Sequence, residues 1–175
     1  MLVNLKFDKN EIDKMLRTAI IIVDTREKRN EHILEYFDKH KIKYKKGKIN
    51  YGDYCLMIPK GEYFDKDIYL NNSIVIERKA NLNELSNNFT KDRERLMREF
   101  ARRKGKMVLV VENSSYEDIV EHKYDTMLTP KSYLASLHTC MSRYDLSVVF
   151  MDSSVTGEFI YKTLIYYARE KIKEE

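Results

Sequence analysis

The sequence predicts an α/β protein: a mixed central β-sheet flanked by helices. Apolar runs of strand length recur along the chain, among them AIIIV at 19–23 and MVLVV at 107–111. Helical periodicity alternates with such runs through the second half, the order expected of stacked strand and helix layers. With 43% hydrophobic and 34% charged residues, the 175-residue chain can build a sizeable core and is not a disordered segment.

Residues 1–18 are polar and weakly patterned, an arm or a short helix, and 19–175 read as a single domain. The run at 19–23 is a buried strand ending at Asp24. Over 30–40, Ile33, Leu34, Tyr36 and Phe37 fall on one side, so a helix follows. Lys-Ile-Lys-Tyr-Lys at 41–45 alternates as a half-exposed strand does. After Gly52 a strand spans 53–58, stopped by Pro59-Lys60-Gly61, and SIVIERK forms another at 73–79. A helix over 90–104 ends at Gly105, and 107–112 is a buried strand. Thr129-Pro130 supplies an N-cap and first-turn proline for a helix bearing Tyr133, Leu134, Leu137 and Met141. A last strand at 146–151 and a last helix at 154–172 complete the pattern.

Several classes are excluded. No run approaches the ~20 apolar residues of a membrane helix, and MLVNLKFDKN lacks the apolar stretch of a signal peptide. A soluble, cytoplasmic protein is expected, with no membrane partner. Cys55, Cys140 and four scattered histidines give no zinc spacing. The net charge of +4 decides little, but its distribution is uneven: 38–48 holds six lysines and one acid, 89–106 eight Lys/Arg and three acids. Such patches either meet a polyanion or are solvated faces.

Acids at strand ends carry the chemistry. On a strand, side chains two apart share a face, so Glu77 and Lys79 project together and Arg78 points away. Asp53 opens the neighbouring strand after a glycine. If the two strands pair, Asp53 and Glu77 reach one Mg²⁺, which prefers carboxylate and water oxygens. An Asp…Glu-x-Lys set on paired strands suits phosphodiester hydrolysis, in which a divalent cation activates water and stabilises charge on the phosphate.

Val23-Asp24-Thr25-Arg26-Glu27, Gly52-Asp53-Tyr54 and Ile76-Glu77-Arg78-Lys79 follow in that order. The set resembles the XPF-type structure-specific endonucleases, whose hallmark is a GDx element followed by ERKxxxD. Residues 85–93 (LSNNFTKDR) look like the shorter prokaryotic and phage members. The resemblance implies a restriction-endonuclease-like fold, Mg²⁺ (or Mn²⁺) as cofactor, Asp53 and Glu77 as metal ligands and Lys79 as catalytic lysine. Asp24, Arg26, Glu27 and Arg78 would support the site. Counting ERKxxxD from Glu77 places Asn83 at the final acid, with Glu84 one residue beyond, and no room remains for the family's helix-hairpin-helix module. Each residue has a plainer alternative: Asp24 and Glu27 as caps of the following helix, Arg26 and Arg78 as surface ion pairs, and Tyr54 as core.

In the helix over 90–104, Leu96, Met97, Phe100 and Ala101 share one face. Lys91, Arg95, Arg98 and Arg102 form a stripe opposite, spaced to track a phosphate backbone or else simply solvated. Arg93 falls on the apolar side, reaching the site or pairing with an acid. The lysines of 41–48 contact a nucleic-acid backbone or block edge pairing. Phosphate contacts position without reading sequence, so selection by DNA shape, at branches, flaps or junctions, is the expected mode. Phe159, Ile160, Thr163, Tyr166 and Tyr167 give the last helix aromatic surface that either covers its own sheet or, as the resemblance to a family whose nuclease domains commonly pair implies, forms a homodimer surface. The functional expectation is a metal-dependent DNA endonuclease of repair, recombination or replication. The alternatives are a catalytically silent DNA-binding partner and a nuclease silent until recruited to an assembly.

Overall fold

Every residue of Tyr54–Ile58 and of Ile74–Lys79 is buried, the pattern of strands covered on both faces. These are β3 and β5 of the computed structural model, which describes residues 7–174. The other strands are β1 (Ile20–Asp24), β2 (Tyr44–Gly47), β4 (Ile68–Tyr69), β6 (Lys106–Glu112) and β7 (Ser147–Met151). The helices are α1 (Lys9–Thr18), α2 (Glu31–Lys39), α3 (Leu82–Thr90), α4 (Arg93–Arg102), α5 (Tyr116–Val120), α6 (Pro130–Tyr144) and α7 (Thr156–Glu174). The sheet runs β2-β1-β3-β5-β6-β7, with β4 paired to β3. It is mixed: β3 is antiparallel to β1 and β5, while β1–β2, β5–β6 and β6–β7 are parallel.

Period-two alternation splits the core into two layers. Ile22, Cys55, Met57, Val75 and Leu109 face α3, α4, α5 and α6, where Leu85, Phe89, Phe100, Ile119 and Tyr133 meet them. Val23, Tyr54, Leu56, Ile76 and Val110 face α1, α2 and α7, against Met15, Ile33, Phe37, Ile160 and Leu164. The expected mixed sheet between helical layers is therefore the observed one.

Several elements differ from expectation. Of the arm or short helix expected over 1–18, the described residues show the helix, α1, closed by a capping box between Asp8 and Glu11; residues 1–6 lie outside the described residues. β2 starts at Tyr44 rather than 41, because Lys41 and Ile42 finish α2. Lys41 adopts φ 54°, and the Lys41 and Ile42 amides bond the carbonyls of Asp38 and Phe37 at 3.1 and 2.8 Å, a Schellman ending. The helix expected over 90–104 is α4 alone, starting three residues later, and α3 before it had no expected counterpart. Asn81 caps α3, accepting from the Glu84 amide, and the chain breaks at Lys91–Asp92 before α4. Ala101 is exposed rather than on the apolar face. α5 and the two-residue β4 had no expected counterpart. α7 buries Ile160, Leu164, Ala168 and Ile172 on its own sheet and leaves Tyr166 62% exposed. Among the described residues, no helix is long and apolar enough to cross a membrane.

Candidate functional site

Because β1 and β5 both run antiparallel to β3, their carboxyl ends meet the start of β3, and the acids closing those strands gather there. Gly52 makes the turn at φ 78°; a Cβ there would lie 2.8 Å from Val75 Cβ, so the turn requires glycine. Asp53 is pinned from both sides. Its amide donates to the Ile76 carbonyl at 2.7 Å, its carbonyl accepts from the Asp24 amide at 2.8 Å, and its Oδ2 accepts from the Arg78 amide at 2.8 Å.

Glu77 and Lys79 project from the same face as Val75, toward α3 and α4. Lys79 Nζ lies 2.6 Å from Glu77 Oε1, while the buried Glu77 Oε2 has no hydrogen-bond partner. Burial, reinforced by Glu77 and Glu27, holds the Asp53 carboxyl well above its ordinary pKa. Burial also raises Glu77, with Lys79 opposing and Glu99 adding to it. Burial works against the Lys79 ammonium, but Glu77 and Asp53 outweigh it and its pKa rises. The cleft around them, ≈ 200 Å³, is also lined by Glu27, Glu84, Asn88, Arg95 and Glu99. Two crowded carboxyls, one with an orphaned oxygen, form a place where added positive charge is stabilised. Among the described residues no three His, Cys, Asp or Glu side chains form a complete metal cage. A small hard cation that keeps most of its waters needs only one or two carboxylates, so the residues present fit such an ion.

The other predicted supports divide between the faces. Asp24, fully buried, spends both oxygens. Oδ1 accepts from the Arg26 amide (2.8 Å) and Nε (2.7 Å), and Oδ2 accepts from the Ile49 amide (2.7 Å). It thus clasps the segment leading into β3 and does not cap α2, whose N-cap is Asn30. Arg26 closes that clasp and lines the cleft with its side chain 64% exposed. Arg78 points to the opposite face, as the strand alternation predicts. There it sits between Glu27 Oε1 and Glu112 Oε2, each at 2.7 Å, a buried arrangement and not a surface pair. Tyr54 is core, with its hydroxyl 3.3 Å from Glu27 Oε1 and 3.1 Å from Asn30 Nδ2.

The ERCC4 domain matches residues 23–163. The chain belongs to the ERCC4-domain family. Among solved structures, XPF from Aeropyrum pernix is similar at 19% identity and TM-score 0.61, covering 89% of this chain and 69% of that one. XPF from Aeropyrum pernix in complex with DNA is similar at 16% identity and TM-score 0.58, covering 87% and 66%. No curated protein sequence matches the chain.

In this ERCC4 domain, Asn83 lies outside the cleft: its Nδ2 bonds Asp125 Oδ2 at 3.1 Å and its Oδ1 accepts from the Asp125 amide at 2.8 Å. Glu84 stands at the rim instead, with Oε1 4.0 Å from Lys79 Nζ and Oε2 accepting from the Ala80 amide at 2.8 Å. The cationic stripe is divided by the break before α4. Arg95, Arg98 and Arg102 line a groove with Arg26 and Asn50 that joins the cleft through Arg26, Arg95 and Glu99. Lys91, at the end of α3, lines a different groove with Asn87 and Met127. Arg93 turns toward α6, donating to Ser136 Oγ at 3.1 Å, and does not reach the cleft.

Three of these residues were given no site role from the sequence. Glu112 closes the buried run of β6 as Glu77-Arg78-Lys79 closes β5, so its position at a strand end was the available signal. Glu99, whose Oε1 lies 3.4 Å from the Gly52 amide, carries no pattern that marks it, whereas Asn88, whose buried Oδ1 has no partner, lies in the LSNNFTKDR run that carries the resemblance.

Proposed function

We propose that this ERCC4-domain protein is a metal-dependent DNA endonuclease, its catalytic unit spanning 19–175, that acts on branched or flap DNA in repair, recombination or replication. The observation that carries this reading is the convergence of Asp53, Glu77 and Lys79 in one cleft, with a buried carboxylate oxygen left unpaired. The similarity to an XPF structure in complex with DNA supports DNA as the substrate. Asp53 and Glu77 would hold Mg²⁺, or Mn²⁺ in its place. Such an ion, when bound, neutralises charge that builds on the scissile phosphate.

The chain's own residues do the rest. The Arg78 amide and the flanking strands fix the Asp53 carboxylate. Lys79, kept protonated by Glu77 and Asp53, presents a fixed positive charge beside the reacting phosphate. Arg26, Arg95, Arg98 and Arg102 offer cations along the groove that joins the cleft, where a phosphate backbone can lie. The reading of a silent partner rested on Asn83, which is engaged with Asp125 while Glu84 lines the cleft.

The direct test is cleavage of flap, fork and four-way-junction DNA with Mg²⁺, Mn²⁺ or EDTA. Cutting restricted to branched substrates and abolished by EDTA is the expected result. No cutting with either metal, despite tight DNA binding, would favour the silent partner. Replacing Arg95, Arg98 and Arg102 together with Ala is expected to weaken DNA binding and reduce the magnitude of the salt slope by about 2–3, near 0.9 per lost phosphate contact. An unchanged slope would assign that face to solubility.

A further inference from the structure

On the face of β5 opposite Glu77 and Lys79, the Arg78 guanidinium is buried between two acids, and both Arg78 and Glu27 also reach the edge of the cleft. Nη1 meets Glu27 Oε1 at 2.7 Å and Nη2 meets Glu112 Oε2 at 2.7 Å. Nη2 also donates to the Arg29 carbonyl at 3.1 Å, and Arg29 is held at φ 53°. The second oxygen of Glu112 lies 2.7 Å from His32 Nε2 on α2. Glu112 is 1% exposed. One side chain is therefore tied to the turn after β1, to the end of β6 and, through Glu112, to α2.

Two features argue that this cluster does more than hold the fold. A buried ion pair is a poor source of net stability, because desolvation offsets most of its attraction, and an apolar replacement often serves as well. The end of β5 also needs a tether. Among the described residues β3 and β5 share one register pair, Tyr54 with Ile76, so Glu77, Arg78 and Lys79 run past that ladder. On the β6 side they remain paired to Leu109, Val110 and Val111. Toward β3, the hydrogen bond from the Arg78 amide to Asp53 Oδ2 continues the connection. A change in the backbone dihedrals at Arg78 would turn that amide away from Asp53 and move Glu77 and Lys79, its neighbours on either side, and a guanidinium bonded at both ends resists such a change.

We infer that Glu112 is a positioning residue: by clamping Arg78 against Glu27 on the face of β5 opposite Glu77 and Lys79, it aims the Arg78 amide at Asp53 and sets the spacing of the Asp53 and Glu77 carboxylates for a divalent cation. This inference rests on the proposed function for its consequence, but its geometry can be read without cleavage.

The test uses the full chain with Glu112→Gln, which keeps the shape and removes the charge, and Glu112→Asp, which keeps the charge on a shorter stem. Three measurements are made: Mn²⁺ titration of DNA-free protein followed by electron paramagnetic resonance, DNA affinity in EDTA, and steady-state cleavage. Glu112→Gln is expected to weaken Mn²⁺ binding about tenfold, the scale of losing a group that orients a metal ligand. It should lower kcat with KM and EDTA-state DNA affinity unchanged, and Glu112→Asp should restore part of the loss. Unchanged Mn²⁺ affinity in both variants would overturn the inference and leave Glu112 a structural residue, whatever happens to thermal stability. If wild-type protein binds Mn²⁺ but cuts no DNA, the nuclease reading fails while the Mn²⁺ titration still judges the clamp. Wild-type protein that binds no Mn²⁺ would overturn both.

Discussion

Replacing Glu77 with Gln is expected to reduce Mg²⁺-dependent cleavage by about a thousandfold or more, the several kcal/mol that a correctly held cation contributes to such a reaction. Gln keeps the side-chain volume and can still accept from Lys79 at the position of Oε1, 2.6 Å away in the wild-type chain. It cannot replace the unpaired anionic oxygen that faces the cleft. Binding of DNA in EDTA should be unchanged or tighter, since one negative charge opposing the phosphate has gone. Loss of cleavage and of DNA binding together would point to unfolding, which circular dichroism would register. Cleavage within tenfold of wild type in metal would remove Glu77 from the proposed site.

Much of this site was legible because its acids close apolar runs. Asp24 ends IIIV, Asp53 follows the glycine before YCLMI, and Glu77-Arg78-Lys79 ends IVI. A buried strand ending in charge must bring that charge to the rim of a sheet, and the two-residue period then puts Glu77 and Lys79 on one face with Arg78 on the other. What the sequence did not show depends on partners distant along the chain. Glu112 reads as the end of another strand until Arg78 is found beside it, 34 residues away. Asn83 occupies the place where the hallmark has an acid, and only the return of the chain at Asp125 explains its direction. α3 was hidden because Asn81, Asn83, Asn87 and Asn88 outnumber Leu82, Leu85 and Phe89, the residues that anchor it. The start of β2 was misplaced because alternation in Lys-Ile-Lys-Tyr suggests a strand, whereas backbone bonds commit the first two of those residues to the end of α2.

Arg78→Met is expected to have the largest effect on stability, because it strands two acids together. Met fills the volume of the arginine stem, so packing changes little. Glu27 and Glu112, however, lose the guanidinium held 2.7 Å from each, and Glu112 keeps His32. Removing one partner from a buried ionic group costs ~3–5 kcal/mol, which for a chain of this size lowers Tm by about 10 °C or more. Adding Glu112→Leu should recover at least half of that loss, since the face around Val108 and Val110 is already apolar and replacing both members of a buried pair is close to neutral. Activity should not recover with it. The double variant still lacks the clamp that aims the Arg78 amide at Asp53, so a stable protein with weak Mn²⁺ binding is the expected outcome of denaturation and metal titrations run on the same preparations. Recovery of metal affinity in step with stability would mean that the cluster acts on the cleft only by keeping the sheet folded.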